Sequence, residues 1–246
     1  MRYFVLILTL VIANFTFSQD ASMFMATGKK LEQQLKDSAA LEQYLQAFTI
    51  QPSNINAAIK CAEMNCSIGA RQTNDELKKK FFMAAKQFDD TALKLNADNA
   101  EANYITALVY NKLMATEKNN EKFVDDLKKF RSYTEQSLTI NSNYGKAWHL
   151  MGKWHYEVLN LNPVKKGALK VIYGNIPKCS IEEALAAFEK CKTSEPYLVR
   201  NYFDMAKSYY YDKQYEKSLA ALQQCIKCPA FSPEDVSLKQ EAKKLL

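Results

Sequence analysis

Glycine and proline are scarce in this chain: its 246 residues hold six of each. A β-sandwich or barrel needs turn residues at roughly 8–12-residue spacing, so the shortage argues against one and favours long helices. Runs of alternating β-branched residues are missing as well. Histidine occurs only at positions 149 and 155. Six residues turn a helix through about 600°, so the two rings point to different sides, and no third ligand stands at metal spacing. The chain contains no G-x-S-x-G, no P-loop, no G-x-G-x-x-G and no H-E-x-x-H. Its paired acids, Asp89-Asp90, Asp125-Asp126 and Glu182-Glu183, are sequence neighbours that diverge on a helix and cannot form an acid/base dyad. The expectation is a protein without enzymatic activity, metal or cofactor.

Long apolar runs are limited to the beginning. After Met1-Arg2, the stretch Tyr3 to Ala13 is almost wholly apolar, and Thr16-Phe17-Ser18 precedes Gln19 in a small-x-small pattern. Residues 1–18 read as a secretory signal peptide of Gram-negative type. The alternative, a retained anchor, is disfavoured because the run is short for a bilayer span. The mature chain, 19–246, is expected to be a single domain, exported to the periplasm or secreted, with no transmembrane segment.

Charge of one sign is not concentrated anywhere. The formal net charge is +6, and Lys78-Lys79-Lys80, Lys128-Lys129 and Lys165-Lys166 lie far apart with acids nearby. These are solvated helix faces rather than the dense basic stripe that nucleic acid requires. The six cysteines do not form a disulfide framework. Cys61 and Cys66 point to different helix faces, and Cys179 and Cys191 would stand about 18 Å apart along one helix. Cys225-Ile226-Lys227-Cys228 falls at a helix C-terminus, where the dipole raises a thiol pKa. Buried small hydrophobes are the expected role.

What the chain does have is a period. The apolar-polar pairs Ile50-Gln51, Leu95-Asn96 and Ile140-Asn141 recur every 45 residues, each before a turn. That spacing marks stacked helical pairs. The helices expected are 21–34, then one capped by Ser38 and ending at Pro52, then 54–69, 75–96, 100–114, 123–140 and the stretch Asn143 to Glu157. After an insertion at about 159–180 come Ile181 to Pro196, a pair around Tyr202–Tyr209 and Tyr215–Cys225, and a final helix capped by Ser232. Trp148, Leu150-Met151 and Gly152, followed by Ala184, Phe188, Cys191 and Pro196, resemble the tetratricopeptide signature, a small residue facing a small residue and an aromatic. Ala62, Ala107, Gly152 and Ala206 would let the second helix of each pair approach closely. The fold expected is all-α: a tetratricopeptide-like helical-hairpin solenoid of about four hairpins, forming a right-handed superhelix, with lengthened hairpins and one inserted segment. In this register Trp148, Met151 and Gly152 pack within the hairpins, while Trp154 has no assigned face.

The first helix of each hairpin would line a concave groove. On one such helix the groove positions are Glu101, Tyr104, Leu108 and Asn111; on the next, Lys146, His149, Lys153 and Tyr156; on the last, Arg200, Phe203, Lys207 and Tyr210. Aromatics mixed with Lys and Arg suit a protein or peptide partner, acidic or C-terminal, or an anionic lipid. No nucleic acid is implied. In the insertion, Ala168 to Tyr173 is apolar and flanked by Lys165, Lys166, Lys170 and Lys178. It would either close over the concave face as a plug or touch an anionic membrane surface.

The phrase His149 to Glu157 (HLMGKWHYE), the Pro- and Lys-containing insertion, Ile181 to Pro196 (IEEALAAFEKCKTSEP), Tyr202 to Tyr210 and Cys228 to Leu246 (CPAFSPEDVSLKQEAKKLL) together resemble the regulator of microtubule dynamics family. The resemblance is strongest from Ala147 onward and extends back to Asn54. It implies a helical interaction domain without catalytic residues. Animal members of that family look like adaptors at microtubules or organelle membranes, and a lipid-handling role has been proposed among them. The signal-like first 18 residues depart from that setting, so helical scaffolding and a groove carry over, and microtubule binding does not.

Overall fold

A computed structural model describes residues 20–246; the predicted signal peptide lies outside them. Among the described residues the structure is helical throughout, with no strand. α1 occupies residues 20–33. It is followed by α2 (Asp37–Ile50), α3 (Ile55–Ala70), α4 (Asp75–Leu95), α5 (Ala100–Thr116), α6 (Asn120–Ile140) and α7 (Gly145–Leu159). Then come α8 (Pro163–Tyr173), α9 (Ile181–Ser194), α10 (Val199–Tyr211), α11 (Tyr215–Lys227) and α12 (Pro233–Leu245).

The 45-residue marks are helix ends. Gln51, Asn96 and Asn141 are the C-caps of α2, α4 and α6. Asparagines open the following elements: Asn54, Asn74, Asn99 and Asn119 each accept a bond from the first turn of the next helix, satisfying donors that have no partner inside it. One expected cap is wrong. Ser38 lies inside α2, whose N-cap is Lys36 with no side-chain bond. Leu35, at φ 59°, makes the reversal instead.

The pairs α3–α4, α5–α6, α7–α9 and α10–α11 make the dominant contacts. These are the four expected hairpins, and α1–α2 adds one before them through a cluster of Met25, Leu31, Ala40 and Tyr44. Ala62, Ala107, Gly152 and Ala206 are all buried at the close approaches. The extra length of the early repeats sits chiefly in their second helices: α4 and α6 have 21 residues each, against 14 in α9 and 13 in α11.

The two tryptophans exchange the importance the sequence suggests. Trp154 is wholly buried in the main core, its indole N–H donating to Leu127 O at 3.3 Å, with Arg131 over the ring. Trp148 is only half-buried; its N–H donates to Ser142 O and Lys190 covers its face. All six cysteines are free, and all but Cys179 are buried.

The insertion does not plug the concave face. Its helix α8 packs on α6, a second helix of its hairpin and hence on the outer layer. Leu169 is buried in the main core, Lys165 lies over Phe123 and Lys128 over Tyr173. The first turns of the 21-residue α6 carry Phe123 and Leu127, buried in the same core as Leu169 of α8. The element that enters the concave side is α12, which touches α10, α11 and, far away in sequence, α3.

Candidate functional site

The first helices of the hairpins form the inner layer: α3 touches α5, α5 touches α7, and α7 touches α10. The predicted groove residues lie on these helices, but the structure divides them among three adjoining cavities, and Glu101 lines none of the three.

The first cavity, about 320 Å³, collects Tyr104, Lys146 and Arg200 with Lys60, Glu63 and Glu234. Its charges are paired within the protein. Glu63 stands between Lys60 (2.7 Å) and Lys146 (3.6 Å). Glu234, in the first turn of α12, stands between Lys112 (3.2 Å) and Arg200 (3.1 Å). Burial alone would raise both carboxyls. The flanking cations outweigh it and hold each at about 2. Tyr104 is buried and meets the ring of Tyr144 edge-on.

The second cavity, about 220 Å³, holds Asn111, His149 and Lys153 beside Asp204. His149 is buried, its Nε2 2.9 Å from Asp204 Oδ2, and burial pushes its pKa down despite that carboxylate. Asp204 is also buried; Lys153 at 3.6 Å and the His149 bond outweigh the desolvation and lower its pKa. Lys153 further pairs with Glu157 at 3.1 Å, and Asn111 donates to the same Glu157 at 3.0 Å. This cluster ties α5, α7 and α10 together.

The third cavity is the largest, about 550 Å³, and the most apolar. It gathers Tyr156, Phe203, Lys207 and Tyr210 from the predicted set, together with Tyr215, Leu219, Leu222 and Leu245. Phe203 is buried; Tyr210 is 66% exposed, Tyr215 54% and Leu219 44%. Lys207 Nζ lies 5.5 Å from the centre of the Tyr156 ring and 5.7 Å from that of Phe203. Among the described residues it makes no ion pair, although Glu241 lines the same cavity. Of the four basic groove positions, Lys146, Lys153 and Arg200 are therefore neutralised in place, and only Lys207 faces an open cavity without a carboxylate at ion-pair distance.

Sequence reasoning missed Glu63, Lys112, Asp204 and Glu234, the partners that fill the groove. Glu157 was legible as the i+4 neighbour of Lys153. Glu63 likewise stands at i+3 from Lys60, whereas the contacts of Glu63 with Lys146, of Asp204 with α7 and of Glu234 with Lys112 and Arg200 join different hairpins or α12, and no local spacing announces them. Among the described residues no group of three His, Cys, Asp or Glu side chains is placed to hold a metal ion, and no helix is long and apolar enough to cross a membrane.

Residues 24–246 match the family described as Regulator of microtubule dynamics protein 1-3, a match that begins well before Asn54. The chain is 21% identical over 186 residues to Regulator of microtubule dynamics protein 1 of Caenorhabditis elegans, covering 76% of this chain and 80% of that protein. It is 27% identical over 177 residues to the protein of the same name from Bos taurus, covering 71% of this chain and 55% of that one. With the Mus musculus protein it shares 30% over 119 residues, 47% of this chain and 38% of the relative. The chain thus spans about half or less of the length of these mammalian relatives. Among solved structures, a thermophilic TPR protein of Thermus thermophilus superimposes with TM-score 0.65 at 15% identity, over 92% of this chain and 100% of that one. PilF of Pseudomonas aeruginosa superimposes with TM-score 0.54 at 12% identity, over 94% of this chain and 86% of that one. At these identities the likeness is one of fold.

Proposed function

The chain belongs to the regulator of microtubule dynamics family, and from that membership we propose that it is a non-enzymatic scaffold that holds a partner chain at the end of its concave face. The observation that carries this reading is the cavity bounded by Tyr156, Phe203, Lys207 and Tyr210. Its walls are apolar and aromatic and partly bare, and among the described residues its cation, Lys207, has no carboxylate at ion-pair distance. A partner segment that seats an apolar side chain among the rings and sets a carboxylate on Lys207 fits this chemistry. The rest of the groove is already occupied by internal ion pairs and serves to fix the curvature. Selection of peptides from a randomised display library tests the reading. The wild-type chain should enrich an apolar-plus-acidic consensus that Lys207→Glu and Tyr210→Ala no longer bind. Failure of wild type to enrich any sequence, or equal binding by the variants, would reject the site.

A second reading uses the same cavity. Its volume and apolar walls suit part of an acyl chain, with Lys207 beside an anionic headgroup. Native mass spectrometry of the purified protein separates the two: retained lipid of defined mass supports a carrier, and a clean apo mass rejects it. The names of the relatives refer to microtubules; for this chain the reading of residues 1–18 as an export signal supports a partner in the periplasm or outside the cell. An intact mass of the protein recovered from its own cells that begins at Gln19 is the expected result, and a retained Met1 would reject export by cleavage.

A further inference from the structure

The inserted helix α8 is additional to the hairpin repeat, and its inner side accounts for only part of its composition. Leu169 is fully buried against α6, with Ala168 and Tyr173 beside it. A helix docked in this way on a protein exposed only to water should carry polar residues on the opposite side. Here that side is Val164, Gly167 and Val171, spaced i, i+3, i+7 and forming one stripe. Val164 is 68% exposed and Val171 84%. Nothing lies within 4 Å of the position a Cβ would take at Gly167, so the stripe is open along its length.

Charge on this segment has one sign. Between Val158 and Ile181 stand Lys165, Lys166, Lys170 and Lys178, and no Asp or Glu. Lys165 lies over Phe123 of α6 and Lys166 donates to Leu159 O at the end of α7, so both are engaged with the body of the protein. Lys170 and Lys178 are exposed. On the neighbouring α6, Asp125 is already paired with Lys129 at 2.7 Å.

We propose that α8 is a membrane-surface contact: the Val164–Val171 stripe enters the boundary between headgroups and acyl chains of an anionic bilayer, and Lys170 and Lys178 lie at its phosphates. An acidic protein partner shares the charge preference but fits the shape less well. A protein interface is anchored by large side chains seated in pockets, whereas the stripe is narrow and built of valine and glycine. The three cavities described above are lined by other elements. A shallow apolar stripe flanked by lysines is what an interfacial helix presents to lipid. The surface is separate from the cavity proposed for a partner chain, so the two readings stand or fall apart.

The test is co-flotation with vesicles of phosphatidylcholine alone or mixed with phosphatidylglycerol. The chain used begins at Gln19, because the apolar run before it would partition unaided, and it carries every helix described here. Wild type should float with the mixed vesicles, not with phosphatidylcholine alone, and detach as salt is raised. Val171→Glu should lower binding at least about tenfold, and Lys170→Ala with Lys178→Ala by roughly tenfold or more, since each surface lysine is worth about a factor of five. Both leave helical content and melting unchanged, because the side chains face outward. Val171→Trp should bind more tightly and shift its added emission to the blue on mixed vesicles. Lys207→Glu should float like wild type. Absence of binding to mixed vesicles, or equal binding by Val171→Glu, overturns the proposal. Recovery of Val171→Glu and wild type alike on immobilised polyglutamate, with neither on vesicles, would assign the surface to an acidic protein instead.

Discussion

Arg200 in the first turn of α10 lies 3.1 Å from Glu234 in the first turn of α12, and the same carboxylate receives Lys112 of α5 at 3.2 Å. One acidic side chain thereby joins the C-terminal helix to two inner helices of the solenoid. It closes the middle of the concave face with the protein's own residues, and leaves the cavity at Tyr156 and Lys207 as its open part.

Glu234→Gln should loosen that closure. Two cations lose their shared carboxylate, at a cost on the order of 2 kcal/mol after allowance for partial exposure. Amide hydrogen exchange across 233–245 should accelerate more than exchange in α5 or α6. Uniform acceleration over the whole chain would show that the pair supports global stability rather than the docking of α12.

Acid should destabilise the fold through Glu63 and Glu234. Both are held at about 2 when folded, below the ordinary glutamate value of about 4.3. Their contribution is complete above the unfolded value and is lost as pH falls from there towards 2. Urea midpoints measured from pH 6 to pH 3 should fall, and the fall should be shallower in Glu234→Gln than in wild type.

Asp89 has the opposite sign. It is buried, accepts a bond from Thr106 at 2.9 Å, and burial lifts its carboxyl to about 7. A folded value raised above the unfolded one of about 3.9 favours the protonated folded state, so this contribution declines as pH rises from 4 through 7. Asp89→Asn should stabilise the protein at pH 8 by on the order of 2 kcal/mol, and by less at pH 5. Melting temperatures at the two pH values check it, and a loss of stability at pH 8 would contradict the assignment.

Gly152→Ala tests the close approach inside the third hairpin. A Cβ there would stand 2.7 Å from the Phe188 ring and 2.9 Å from the carbonyl oxygen of Ala184. The backbone oxygen cannot swing aside, so α7 and α9 must separate, at a cost of about 1–3 kcal/mol despite the better helix propensity of alanine. The urea midpoint should drop with an unchanged slope. The same change at Gly167, where nothing is within 4 Å, should be neutral or slightly stabilising.

Much of the architecture was legible because its causes are local. Apolar spacing gave the helices, the recurrent Asn and Gln residues gave their ends, and the small residues at 62, 107, 152 and 206 gave the pairing. Misreadings occurred where a local cue competed with a better distant solution. Ser38 has the chemistry of a cap, but the chain reverses earlier, at Leu35. Trp148 fits the repeat signature, yet Trp154 is the tryptophan in the core, because α7 must also pack against the longer α6. The apolar part of the insertion was adjacent in sequence to a groove-lining helix and in space belongs to α6, on which it packs.

By itself, the sequence determined an all-helical chain of stacked pairs and most of their boundaries, which follow from spacings of a few residues. Which of the inner-layer side chains remain open to a partner was decided only by the tertiary structure. Lys112 and Glu234 are 122 residues apart, and they meet because the curvature accumulated over successive hairpins brings α12 back to α5 and α3. A local pattern can place a lysine on a face. Whether a carboxylate has already reached it depends on the summed geometry of the whole solenoid.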